Sequence, residues 1–151
     1  MNMSIEHDNR VIVVGVDGST GSLRAMRWAI GEASLRGCAI EAVTVWHAGS
    51  YGAATGQAAE DLRAQVVKEA CSDVSDGPPI SEEIETGVPE EVLVARSQRA
   101  SLLVIGSHGV GSIRHAALGS TSEYCSRMAA CPVVVLPTPA DGDRHTEIAE
   151  C

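Results

Sequence analysis

Apolar positions along this chain alternate between two rhythms. Val11 to Val16 reads Val-Ile-Val-Val-Gly-Val, a short, largely β-branched run that predicts a strand buried on both faces. After the polar turn Asp17-Gly18-Ser19-Thr20-Gly21-Ser22, the residues Leu23, Met26, Ile30 and Ala33 recur at helical spacing until Gly37 stops the helix. Ile40–Trp46 is a second strand. A Gly-, Ala- and Ser-rich loop over His47–Gly56 then leads to a helix with Leu62, Val66, Val67 and Ala70 on one stripe. Ser72–Pro79 breaks that helix, and Ile80–Thr86 is acidic enough to be an edge strand. Pro89 opens the next helix, with Glu90 and Glu91 near its positive end and Val92, Leu93 and Ala95 as its expected buried side. Leu102–Ile105 is a fourth strand, Ser120 to Met128 a last helix, and Val133–Leu136, led in by Pro132, a fifth strand.

Strands that alternate with helices imply right-handed crossovers and a mostly parallel sheet with helices on both faces. The fold class is therefore α/β, a doubly wound sheet of Rossmann-like type. Such sheets hold ligands beyond the carboxyl ends of their strands, where strand order reverses. Attention falls on the residues that follow the first, second and fourth strands.

The fourth strand runs into Gly106-Ser107-His108-Gly109-Val110-Gly111-Ser112, and Gly119-Ser120-Thr121-Ser122-Glu123 begins the last helix. Glycines let backbone N–H groups approach an anion, and a helix start adds unpaired donors with a favourable dipole. Ser120 and Thr121 add hydroxyls. The first strand is followed by Gly15-x-Asp17-Gly18 and no glycine loop precedes Lys-Ser/Thr, so neither the dinucleotide fingerprint nor the P-loop is present.

Other readings stand beside these. Ser120 and Glu123 have the spacing of a capping box, which would commit Ser120 to starting its helix. Asp17 also suits a plain turn before glycine. His108 suits a solvated loop, and Arg114 and His115 a solvated lid over the loop. Glu82-Glu83 and Glu90-Glu91 read as an exposed edge and a helix start in preference to acid/base machinery.

Composition narrows the partners. The chain has 151 residues, 44% hydrophobic, enough for one domain core. Its net charge is −9 with Lys68 the only lysine, which opposes contact with nucleic acid or an anionic membrane. Aromatic content of 3% leaves no base-stacking platform. No apolar run approaches the roughly 20 residues of a membrane-spanning helix, and the polar start Met1–Arg10 does not read as a leader. Five scattered cysteines without a Cys-x-x-Cys pair suit free thiols, so a cytoplasmic location is expected. Cys125 and Cys131 are expected in or near the core.

With these residues in view, the chain resembles the ATP-binding universal stress proteins. Gly106, two residues, Gly109, nine residues, Gly119 and Ser120 match that family's nucleotide motif. Val11–Ser19 resembles its first strand and acidic turn, Gly87-Val88-Pro89 its third-helix entrance, and Cys131–Val135 its last strand. The resemblance implies a five-stranded sheet of order 3-2-1-4-5 spanning residues 11–137, between a flexible start (1–10) and a polar tail (138–151) expected to be poorly ordered. It also implies ATP, with Mg²⁺ as an optional companion. The adenine would lie near Val16, Asp17 and the end of the second strand, where either Val45 or His47 falls on the family position. Ribose and phosphates would be held by Gly106, Ser107, His108, Gly109, Gly119, Ser120 and Thr121. Three functions follow from this: a nucleotide-binding regulatory or stress-response protein, which is preferred; a slow ATPase or phospho- or nucleotidyl-transferase of the same fold; and a dimeric interaction module without ligand. A homodimer through strand 133–136 is expected because that edge carries no charge.

Overall fold

The computed structural model describes residues 10–47, 55–109 and 118–138. The elements are β1 (Val11–Gly15), α1 (Thr20–Arg36), β2 (Ala39–Trp46), α2 (Gly56–Ala70), β3 (Ile80–Thr86), α3 (Pro89–Ser97), β4 (Leu102–Gly106), α4 (Ser120–Met128) and β5 (Val133–Leu136). They form one parallel sheet in the order β3-β2-β1-β4-β5. The order reverses between β1 and β4, whose carboxyl ends lie side by side with Val14 opposite Val104.

Strand alternation divides the core into two layers. Ile12, Val14, Ile40, Ala42 and Val104 pack with Met26, Ala29 and Ile30 of α1 and Val66 and Ala70 of α2. Val13, Val43, Leu103 and Ile105 pack with Leu93 of α3 and Cys125 of α4. Residues 12 to 14 and 102 to 105 are buried on both sides, as a central parallel strand requires. Two helix starts are pinned by side chains: the hydroxyls of Ser19 and Thr55 accept from the N–H groups of Ser22 and Ala58. α1 ends at Gly37 in the left-handed region (φ 67°), the glycine stop that the sequence announces.

One expectation needs correction, and one alternative reading falls. Ala95 is exposed, and Arg96 takes the inward position of α3. Helix periodicity placed the stripe correctly at Leu93, but a guanidinium paired with Glu41 and Glu85 on the sheet replaces an alanine there. The Ser120–Glu123 capping box does not form. The N-cap is Gly119, Ser120 is the first helical residue, and the Glu123 carboxylate accepts from Arg127 one turn on. The tail 141–151, the start 1–9 and loop residues 48–54 lie outside the described residues, as do Arg114 and His115.

Candidate functional site

β1 ends in the turn Val16-Asp17-Gly18. The Val16 N–H donates to the Val43 carbonyl (2.9 Å), and the Val16 carbonyl accepts the buried Thr44 hydroxyl (2.7 Å), so the turn is anchored on β2. Gly18 has φ 84°, which a side chain would strain. Asp17 is exposed, and its Oδ1 accepts from both the backbone N–H (2.9 Å) and the hydroxyl of Ser19. The turn role considered for Asp17 is therefore real. It leaves Oδ2 directed at the glycine loop, where a Cβ on Gly109 would fall 2.5 Å from it.

Gly106 and Gly109 need to be glycine for reasons within the protein. A Cβ on Gly106 would lie 2.9 to 3.1 Å from the Gly21 backbone, because the first turn of α1 rides directly over the end of β4. Gly21 is in turn confined by the His108 carbonyl, 3.0 Å from where its Cβ would stand. The two glycine segments thus close on each other, and the Asp17 carboxylate and the Gly106–Gly109 loop share one face at the switch point.

α4 begins against the same loop. The Gly119 N–H donates to the Ser107 carbonyl (2.7 Å), and that carbonyl also accepts the Ser122 hydroxyl (2.8 Å). Having no side chain, Gly119 supplies no cap, so nothing from the N-cap residue meets the first-turn N–H groups of α4. α3 also lacks a side-chain cap, but Pro89 removes one donor there and two carboxylates, Glu90 and Glu91, occupy its first turn against the single Glu123 of α4. Ser120 is exposed and Thr121 half-buried at the open end of α4. His47 is exposed directly after β2, while Val45 packs in the layer under α3 and α4. The indole N–H of Trp46, between them, is a buried donor without a hydrogen-bond partner.

Ser107 differs from the other candidates. It is 5% exposed, its N–H donates to the Leu136 carbonyl (2.8 Å), and its hydroxyl accepts from the Thr138 N–H (3.0 Å). It holds the loop together from within. Sequence reasoning missed Gly21, Thr44, Ser122 and Thr138, which support the site without carrying ligand chemistry of their own. A glycine in a helix's first turn and a threonine inside an apolar strand were the available signals.

The Universal stress protein family model matches residues 8–137. The chain belongs to the universal stress protein family. A universal stress protein of Mycolicibacterium smegmatis is 33% identical over 138 residues, covering 83% of this chain and 47% of the relative. One from Mycobacterium tuberculosis is 32% identical over 151 residues, covering 97% and 56%. The chain spans about half the length of the curated relatives it matches. Among solved structures, a universal stress protein in complex with cAMP is 28% identical, with a TM-score of 0.65 over 87% of this chain and 98% of that one. An Archaeoglobus fulgidus universal stress protein in complex with dAMP shares the fold (21% identity, TM-score 0.59, covering 83% and 95%).

Proposed function

We propose that this chain binds an adenine nucleotide, ATP in its full form, at the carboxyl ends of β1, β2 and β4, and acts as a nucleotide-dependent regulatory protein of stress response. The observation that carries this reading is the open start of α4, set beside Gly106–Gly109 and the Asp17 carboxylate at the switch point. Phosphates would meet the backbone of Gly109 and Gly119 with Ser120, Thr121 and His108. The base and sugar would meet Val16, Asp17 and the end of β2 at His47, a reading to which the unpartnered Trp46 N–H lends support. Gly106 lets α1 close over the loop. Mg²⁺ would come with the phosphates, since no group of three or more metal-ligating side chains exists among the described residues. The nucleotides named with the cAMP- and dAMP-bound relatives support the adenine class. A cytoplasmic setting belongs to this reading, supported by the free thiols of Cys38, Cys71, Cys125 and Cys131. So does a homodimer through β5.

Calorimetric titration tests it. The wild type is expected to bind ATP in the micromolar range, and Gly119→Val, at a buried position, to weaken binding by at least about tenfold. Gly109→Val is expected to do the same by displacing the Asp17 carboxylate. Unchanged affinity in both folded variants removes the assignment. Hydrolysis is expected far below the roughly 10 s⁻¹ typical of dedicated enzymes. Several turnovers per second, lost in Asp17→Asn or His108→Ala, would favour the ATPase instead.

A further inference from the structure

Thr44 lies in the apolar run Ala42–Trp46 and is 5% exposed. Packing in such a layer does not call for a hydroxyl. This one donates to the carbonyl of Val16 (2.7 Å), the first residue beyond β1. The contact falls where the ladder between β1 and β2 stops. The last paired residues are Gly15 and Val43, and the Val16 N–H still donates to the Val43 carbonyl (2.9 Å). In a parallel pair, alternate residues of a strand present their backbone groups to the same neighbour, so the next rung would carry the Val45 N–H to the Val16 carbonyl. Among the described residues that bond is not formed. The Thr44 side chain supplies the donor instead and ends the ladder one rung early.

The early stop sets the path of the turn. From Val16 the chain leaves β2 for Asp17-Gly18, and the Asp17 carboxylate comes to the Gly109 backbone. Val16 is 3% exposed, so its carbonyl has no water to accept from if the hydroxyl is removed. The donor that the ladder itself offers is the Val45 N–H. Closing that rung would draw Val16 further along β2 and move Asp17 from its place beside the glycine loop.

We propose that Thr44 is a positioning residue of the nucleotide site: its hydroxyl holds the Val16 carbonyl out of the ladder, which keeps the β1–β2 seam open and sets the Val16-Asp17 turn for the base and sugar. The role rests on the nucleotide reading above and deepens it.

Two substitutions separate the hydroxyl from the shape. Thr44→Val keeps the shape and removes the donor, whereas Thr44→Ser keeps the donor. Amide hydrogen exchange of the full ¹⁵N-labelled chain, followed by NMR without ligand, reads the seam. In the wild type the Val45 amide is expected to exchange at least about tenfold faster than that of Val43, which sits inside the ladder. Equal protection of the two overturns the open seam without any variant. In Thr44→Val the Val45 amide should slow by about tenfold or more as the rung closes, and in Thr44→Ser it should stay fast. A threonine that only fills the core would leave this amide unchanged in Thr44→Val, and that result overturns the proposal. Calorimetric titration should show the ATP dissociation constant raised at least about fivefold in Thr44→Val and within about twofold of wild type in Thr44→Ser. Wild-type affinity in Thr44→Val, or equal losses in both variants, overturns the positioning role and leaves the nucleotide reading in place. A wild type that does not bind ATP removes that reading, and the positioning role with it, whatever the amides show.

Discussion

At the scale of single residues, glycines separate into those the fold requires and those it does not. Gly31 sits in the middle of α1 with no atom within 4 Å of a built Cβ and without a positive φ. Gly31→Ala is expected to stabilise the protein by about 0.5 to 1 kcal/mol, read from the denaturation midpoint. Gly106→Ala should do the reverse, by roughly 1 to 3 kcal/mol, because its Cβ would press on the Gly21 backbone and backbone gives little. Cys125 offers a pH test. Burial, and then the charge of Glu90, push its thiol up to about 11 from an ordinary 9.0. Folding therefore favours the neutral thiol, so its stabilising effect is complete below about pH 9 and is lost as pH rises through about 11. Between pH 7.5 and pH 10.5, wild-type stability should fall more steeply than that of Cys125→Ala, by on the order of 1 to 2 kcal/mol.

At the scale of elements, α3 is fastened to the sheet by charge as well as by Leu93. Arg96 donates from Nε to Glu85 (3.0 Å) and pairs with Glu41 and Glu85 through its terminal nitrogens. Its side chain is 10% exposed and that of Glu41 14%, while burial, and then Arg99, lower the Arg96 pKa. Removing Arg96 leaves the half-buried Glu41 carboxylate with only the exposed Arg99, 3.8 Å away, as a counter-charge, so Arg96→Ala should cost about 3 kcal/mol. Replacing the pair with apolar groups of similar volume should behave differently: Arg96→Met combined with Glu41→Leu is expected to recover most of that loss in urea unfolding. A double variant as unstable as the alanine variant would mean that the charges themselves hold the helix in place.

For the whole molecule, the β5 edge of the sheet matters most. β5 pairs with β4 through its even-numbered residues: the Leu103 N–H reaches the Pro132 carbonyl and the Ser107 N–H the Leu136 carbonyl. In a parallel strand the alternate residues then point their backbone groups away, which leaves the N–H groups of Val133 and Val135 on the free edge. Val134 packs in the layer under α1, so a lysine there would damage the core as well as the edge. Val135→Pro is the cleaner probe. It removes one outward donor and keeps the β4 ladder. Sedimentation equilibrium should show the proposed dimer weakened at least about tenfold in this variant, with a modest fall in unfolding midpoint because Val135 also packs in the layer under α3 and α4. A monomeric wild type at micromolar concentration would end the dimer proposal.

The sequence by itself determined the element order and the fold class, and pointed to one place for the proposed ligand. Ile80–Thr86, Ser120–Met128 and Val133–Leu136 begin and end where patterning and Pro or Gly punctuation put them, because these signals act on the local backbone. The glycine spacing around Gly106, Gly109 and Gly119 likewise marked the loop that meets the start of α4. What these residues do there was decided only by tertiary structure. Whether Gly106 faces a ligand or another backbone depends on α1 arriving from residues far away in sequence, and it is Gly21 that arrives. Whether Ser120 caps its helix depends on where the chain turns, and the turn falls at Gly119 because the Ser107 carbonyl holds that N–H. Arg96 reads as a surface cation until Glu41 and Glu85, on the paired strands β2 and β3, meet it beneath α3. Local periodicity fixes which elements form. Contacts between residues distant in sequence fix which atoms are already engaged and which remain for a ligand.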